Sequence, residues 1–113
     1  VAAQGDVLSV VNRHVIAYQT GNLSAFLATF SQDAVVDYDG RRFVGRTEIR
    51  QAYAANFGST APTVEVTNSW VNGETVELEE AYIFADGSRM CCSYSKFTVR
   101  GGKIVAVTVS TPR

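Results

Sequence analysis

The chain has 113 residues, 46% of them hydrophobic and many carrying rings (six Phe, five Tyr, one Trp), so residues 1–113 are expected to form a single domain around one core. Ten basic residues nearly balance eleven acidic ones, which excludes the basic footprint of a nucleic-acid binder. No apolar run approaches the roughly 20 residues that span a bilayer, and the stretch that opens at Val1 shows no signal-peptide pattern.

Helical spacing comes first. In DVLSVVNRHVIAYQTGN, Val7, Val11, His14 and Tyr18 recur at i, i+4, i+7 and i+11, with Leu8 and Val15 beside them, and this predicts a helix with one apolar stripe. Asp6 is placed as its cap and Gly21 as its end. Asn22 then caps a second helix, in which Leu23, Phe26, Leu27 and Phe30 keep the spacing. A third is expected after Gly45, with Thr47 as cap, Ile49, Ala52, Tyr53 and Phe57 along one side, and Gly58 as its stop.

Between the second and third helices lies VVDYDGRRFVG, where Asp39-Gly40 is a two-residue hairpin signal. A tight turn there sets Tyr38 opposite Arg41, Asp37 opposite Arg42 and Val36 opposite Phe43. Val36, Tyr38 and Phe43 then share one face, and Asp37 and Arg42 the other. Asp39 is read as a turn residue that tolerates the left-handed conformation. Asp37 is either a cross-strand partner of Arg42 or, if a bulge turns it inward, a catalytic carboxylate.

Asn72-Gly73, Asp86-Gly87 and Gly101-Gly102 divide the second half into four strands, about 63–71, 74–85, 88–100 and 103–110. Short links between long strands predict an antiparallel meander. Alternation puts Val64, Val66, Asn68 and Trp70 on one face of the first, and Val76, Leu78, Glu80, Tyr82 and Phe84 on one face of the second. Glu80 is thus a carboxylate in an apolar row. It is either a buried acid, kept neutral by desolvation, or a partly exposed strand-end acid or a partner for Arg89 or Lys96.

Cys91 and Cys92 are adjacent, and in a strand they point to opposite faces. Both are expected to be free thiols, which suits a reducing compartment and a cytoplasmic protein. One His and two adjacent Cys make no tetrahedral zinc set, and RGGK lacks the spacing of a phosphate loop, so neither a metal nor a cofactor is expected.

The order helix, helix, short hairpin, helix and four-strand meander, with AYQTGNLSAFLATFSQDAVVDYDG, FVGRTEIRQAYAANF and KFTVRGGKIVAV as its carriers, resembles the nuclear transport factor 2-like (NTF2-like) superfamily, particularly its SnoaL-like and ketosteroid-isomerase-like branches. The resemblance implies an α+β, cone-shaped, cystatin-like fold in which three N-terminal helices pack on a curved, mostly antiparallel sheet over an apolar pocket. It also implies a homodimer formed through the sheet's outer face, where Glu65, Thr67, Ser69 and Val71 make a partly apolar row. Ketosteroid isomerases use a carboxylate base with a Tyr and a protonated Asp as oxyanion donors. Those positions fall here on Tyr38 (flanked by Asp37 and Asp39), near His14, and among Ser93, Tyr94 and Ser95, so the set does not carry over as it stands.

The proton-moving candidates are therefore Asp37, His14 and Glu80, and the pocket is expected to be walled by Tyr18, Tyr38, Phe43, Tyr53, Phe57, Asn68, Trp70, Tyr82 and Tyr94. His14, the one histidine, is either a satisfied core residue or a proton exchanger. Two functions stay open. One is a cofactor-free isomerase, cyclase or hydrolase acting on an apolar cyclic molecule of steroid, polyketide or terpenoid type. The other is a noncatalytic ligand-binding or dimerisation module of the same fold.

Overall fold

Two-residue turns between strands need positive backbone φ, and the chain supplies it. Asp39 and Gly40 (φ 52° and 85°) make one such turn and Gly101 and Gly102 (φ 57° and 75°) another, the pattern whose twist matches paired strands. In this computed structural model, which describes residues 4–57 and 61–111, helix α1 (Gln4–Gln19) is followed by α2 (Leu23–Ala28), β1 (Phe30–Tyr38), β2 (Arg41–Val44) and α3 (Gly45–Tyr53). A 3-10 turn (Ala54–Phe57) leads to β3 (Thr63–Asn72), β4 (Thr75–Ile83), β5 (Arg89–Arg100) and β6 (Lys103–Ser110).

The β1–β2 register is the expected one, Val36 with Phe43, Asp37 with Arg42 and Tyr38 with Arg41. Strands β3 to β6 form the expected meander, and β1 lies parallel to β6, giving one six-stranded sheet in the order β2-β1-β6-β5-β4-β3. The sheet is thus mixed: the hairpin that the sequence set apart from the meander is its continuation. Register breaks occur between Val66 and Asn68, between Glu80 and Ala81, between Thr98 and Val99, and along the first half of β1. Such bulges bend and twist a sheet, and this one curves around α1.

Several local expectations are corrected. Asp6 sits in the first turn of α1, which begins at Gln4, rather than capping it. Asn22 does cap α2, its Oδ1 accepting from Ala25 N at 3.0 Å, but Phe30 leaves the helix to open β1. At α3 the capping residue is Val44, not Thr47. Glu48 Oε1 accepts from Val44 N at 2.8 Å, so a first-turn side chain satisfies the amide of the capping residue. Phe57 lies in the 3-10 turn rather than in α3, and the stop placed at Gly58 falls outside the described residues. The β3–β4 turn is Gly73-Glu74, because Asn72 pairs with Thr75.

The largest correction is on β3. Thr67 is the extra residue of its bulge, so the alternation flips after it. Asn68 pairs with Glu79 and Trp70 with Glu77, on the outer face, whereas Ser69 and Val71 pair with the inward Leu78 and Val76. Trp70 is 47% exposed, and Val71 packs against the core.

The cysteines are corrected as well. Cys91 and Cys92 are joined as a vicinal disulfide across a cis peptide bond. Cys92 is the unpaired residue of the bulge opposite Glu80 and Ala81, so the strand alternation that separated the two thiols does not hold there. The cytoplasmic expectation loses the premise of free thiols. Among the described residues, no helix is long and apolar enough to cross a membrane.

The core lies between the helices and the concave face. Val7, Val11 and Val15 of α1, Phe26 of α2 and Ile49 of α3 meet Val76, Leu78, Phe97, Ile104 and Val107. Burying each such side chain contributes about 1.5–3 kcal/mol. Gln19 Nε2 donates to Val64 O at 3.0 Å, and the Arg46 guanidinium to Phe30 O, so α1 is tied to β3 and α3 to the start of β1.

Candidate functional site

The core stops short of filling the space where α1, α3 and the centre of the sheet converge. A cavity of about 50 Å3 remains there. From α1 come His14, Val15 and Tyr18; from α2 Phe26; from β1 Tyr38; and from α3 and its 3-10 extension Tyr53 and Asn56. The sheet supplies Val64, Glu80, Tyr82, Ser93, Ser95, Phe97, Val107 and Val109. Half-buried Tyr18, Tyr38, Asn56 and Tyr82 form the rim, and buried His14, Tyr53, Glu80, Ser93 and Ser95 lie deeper.

Glu80 is 7% exposed. It faces inward because β4 alternates Val76, Leu78, Glu80 toward the helices, and its neighbours on β5 are Ser93 directly opposite and, two pairs along, Ser95. Ser95 Oγ donates to Glu80 Oε1 at 2.9 Å. Burial raises the Glu80 pKa, and the Ser95 hydrogen bond opposes that only in part. The other reading of Glu80 is removed: Arg89 pairs with Glu65 at 3.3 Å, and Lys96 lies opposite Glu77 on the outer face.

His14 is 8% exposed and walled by rings, with Phe26, Phe97 and Phe30 centroids 4.3, 5.1 and 5.2 Å away. Thr29 Oγ1 donates to Phe26 O at 2.6 Å, so toward His14 Nδ1, 3.0 Å away, it acts as acceptor. That places the ring proton on Nδ1 and leaves Nε2 with its lone pair. Burial pushes the His14 pKa down to about 3, so the imidazole is neutral at neutral pH.

The phenols complete the lining. Tyr38 and Tyr82 hydroxyls lie 3.3 Å apart, and the Tyr38 and Tyr53 rings meet edge to face, 6.0 Å between centroids. Burial lifts the Tyr18 pKa to about 12, with the Asn56 amide as its hydrogen-bond neighbour, and raises Tyr53 and Tyr82 as well. At neutral pH the site therefore holds hydroxyl donors, a neutral imidazole and a carboxyl that resists ionisation. Among the described residues, no Lys or Arg lines it.

Of the residues expected from the sequence, His14, Glu80, Tyr18, Tyr38, Tyr53 and Tyr82 converge on the cavity. Asp37 does not: its Oδ1 accepts from Gly40 N at 3.1 Å, closing the hairpin turn, and it forms no ion pair with Arg42 among the described residues. Phe43 and Phe57 pack against the core outside the cavity, and Asn68 and Trp70 lie on the outer face. Tyr94, also outward and 50% exposed, donates to Glu79 Oε2 at 3.0 Å. Asn56, Ser93 and Ser95 were not singled out as site residues. The signal for the serines is their register, two small polar residues at inward positions of β5 beside Glu80.

The profile of the SnoaL-like domain matches residues 11–107. The chain belongs to the SnoaL-like family. No curated protein matches its sequence. Among solved structures, this SnoaL-like chain is similar to an NTF2-like protein of unknown function from Mesorhizobium loti (TM-score 0.85, 17% identity, covering 100% of this chain and 96% of that one). A candidate polyketide cyclase from Sinorhizobium meliloti aligns with TM-score 0.81 and 24% identity over 96% of this chain and 100% of its own. A Catenulispora acidiphila protein with a ketosteroid isomerase-like fold, solved in complex with trimethylamine, aligns with TM-score 0.75 and 18% identity over 90% and 84%. At these identities the structures establish a shared fold, NTF2-like and α+β.

Proposed function

We propose that the chain binds a small, largely apolar molecule in the cavity beneath its helices and exchanges a proton with that molecule's polar group through Glu80. The observation that carries this is the carboxyl of Glu80, buried among aromatic rings with Ser95 as its hydrogen-bond donor and, among the described residues, no Lys or Arg in the lining. A carboxylic acid kept neutral in an apolar site is a strong hydrogen-bond donor and a general acid. The tyrosine hydroxyls would steady charge that develops on a bound oxygen, and neutral His14 offers Nε2 as an acceptor.

Size limits the ligand. Small-molecule pockets run from about 300 Å3 upward, so a steroid, terpenoid or aromatic polyketide enters only if the tyrosine rim moves aside. The 50 Å3 of the cavity favours a second reading, ligand binding without chemistry, and in that reading Glu80 orients the ligand and transfers nothing. The same family expectation makes the assembly a homodimer through the outer face of the sheet.

Glu80→Gln separates the two readings, because the amide keeps the shape and a donor but cannot give up a proton. A thermal-shift screen of small ketones, cyclic alcohols and amines finds the ligand, since one that binds only the folded state raises its melting temperature. Turnover of that ligand by the native chain, reduced at least about 100-fold in Glu80→Gln with binding kept, is the expected result for general acid catalysis. Turnover unchanged in Glu80→Gln refutes the role given to Glu80.

A further inference from the structure

A buried carboxyl with one hydrogen-bond donor still has lone pairs to satisfy when it ionises, and here Ser95 Oγ is the donor it has. Among the described residues, no Lys or Arg of the lining is there to pair with it. The titratable groups around it are His14 and Tyr18 from α1, Tyr38 from β1, Tyr53 from α3 and Tyr82 from its own strand, while β5 and β6 contribute no charged side chain to the cavity. The six carbocyclic rings of the lining instead present π-systems, which attract cations over their faces. Tyr38 and Tyr53 stand at 79° to one another, as adjoining walls of a box do. An anion would meet no positive partner among the described residues of this site.

We propose that the occupant of this cavity is a small alkylammonium cation, held among the tyrosine and phenylalanine rings and paired with the ionised carboxylate of Glu80. The inference rests on the second of the two readings above, in which Glu80 orients the occupant of the cavity and transfers nothing to it, and it fixes the charge of that occupant. Space agrees with it: at about 10–15 Å3 per water-sized position, about 50 Å3 holds roughly the heavy atoms of a trimethylated nitrogen. The proton balance is simple. The cation enters, the Glu80 carboxyl releases its proton to solvent, and the net charge of the occupied cavity stays at zero. Binding therefore strengthens as pH rises through the ionisation of Glu80 in the free protein and levels off above it.

The test uses the native chain with tetramethylammonium chloride, whose charge does not titrate, and tert-butanol as a neutral probe of similar shape, at matched ionic strength. Tetramethylammonium at millimolar concentration is expected to raise the melting temperature, and tert-butanol is not. Calorimetry in two buffers of different ionisation enthalpy should report proton release on cation binding below the Glu80 pKa. Glu80→Gln should weaken the cation at least about tenfold, because it removes one partner of a buried charge pair. Equal stabilisation by tert-butanol, no proton release, or undiminished affinity in Glu80→Gln overturns the proposal. If a neutral ketone such as cyclohexanone stabilises the chain and the cation does not, the cavity remains the ligand site and this inference falls. If neither probe has an effect, both readings fall together.

Discussion

His14 and Glu80 share one cavity but pull stability in opposite directions with pH. Burial holds the His14 pKa near 3, against about 6.5 for an unfolded histidine. The unfolded chain therefore binds the extra proton first, and the stability contributed by neutral His14 is full above about pH 6.5 and drains as pH falls toward 3. Glu80 is raised above the roughly 4.3 of an unfolded glutamate. Its folded form keeps a proton that the unfolded form has lost, so its contribution is full below about pH 4.3 and is lost as pH rises through the folded value. Glu80→Gln cannot ionise. Its stability relative to the native chain is expected to grow as pH rises above about 4.3 and to level off once folded Glu80 has ionised, read from urea midpoints at each pH, and a constant difference would show that Glu80 is not desolvated. The burial of both residues was legible from their places in apolar stripes. The tautomer of His14 was not, because it depends on Thr29, fifteen residues away, whose proton is committed to Phe26 O.

At the scale of elements, hairpins were legible and bulges were not. The β1–β2 register follows from Asp39-Gly40 alone, since a two-residue turn leaves one way to pair its flanks. The bulge at Thr67 adds a residue that no local signal marks, and every side chain after it changes face. That single residue moves Asn68 and Trp70 out of the expected pocket and draws Val71 in. The capping of α2 is the clearest local case. The helix has six residues, too few to be stable alone, yet its Phe26 walls the cavity and stacks on His14. Asn22→Ala removes the acceptor for Ala25 N and is expected to cost about 1 kcal/mol, seen as a lower urea midpoint with an unchanged slope. A loss under about 0.3 kcal/mol would mean that packing of Phe26 alone fixes the helix.

For the whole molecule, the curved sheet gives its concave face to the helices and leaves the convex one uncovered. After the Thr67 bulge that outer face carries the rows Trp70, Glu77, Lys96, Thr108 and Asn68, Glu79, Tyr94, Ser110. Trp70 and Tyr94 are the large rings in them, 47% and 50% exposed. The row expected from the sequence for a dimer, Glu65, Thr67, Ser69 and Val71, is split by the bulge, and its last two members face inward. If two copies join through this face, Trp70 is the residue placed to carry the contact, because buried tryptophans dominate the binding energy of interfaces. A stable pair buries about 800 Å2 from each copy, roughly an eighth of the 6511 Å2 of accessible surface. The native chain is expected to sediment as a dimer at micromolar concentration. Trp70→Lys should raise the dissociation constant at least about 30-fold, the equivalent of a loss of 2 kcal/mol, without lowering the melting temperature of the monomer. A native chain that stays monomeric at about 100 µM, or a Trp70→Lys variant that dimerises as before, would take the outer face out of the assembly.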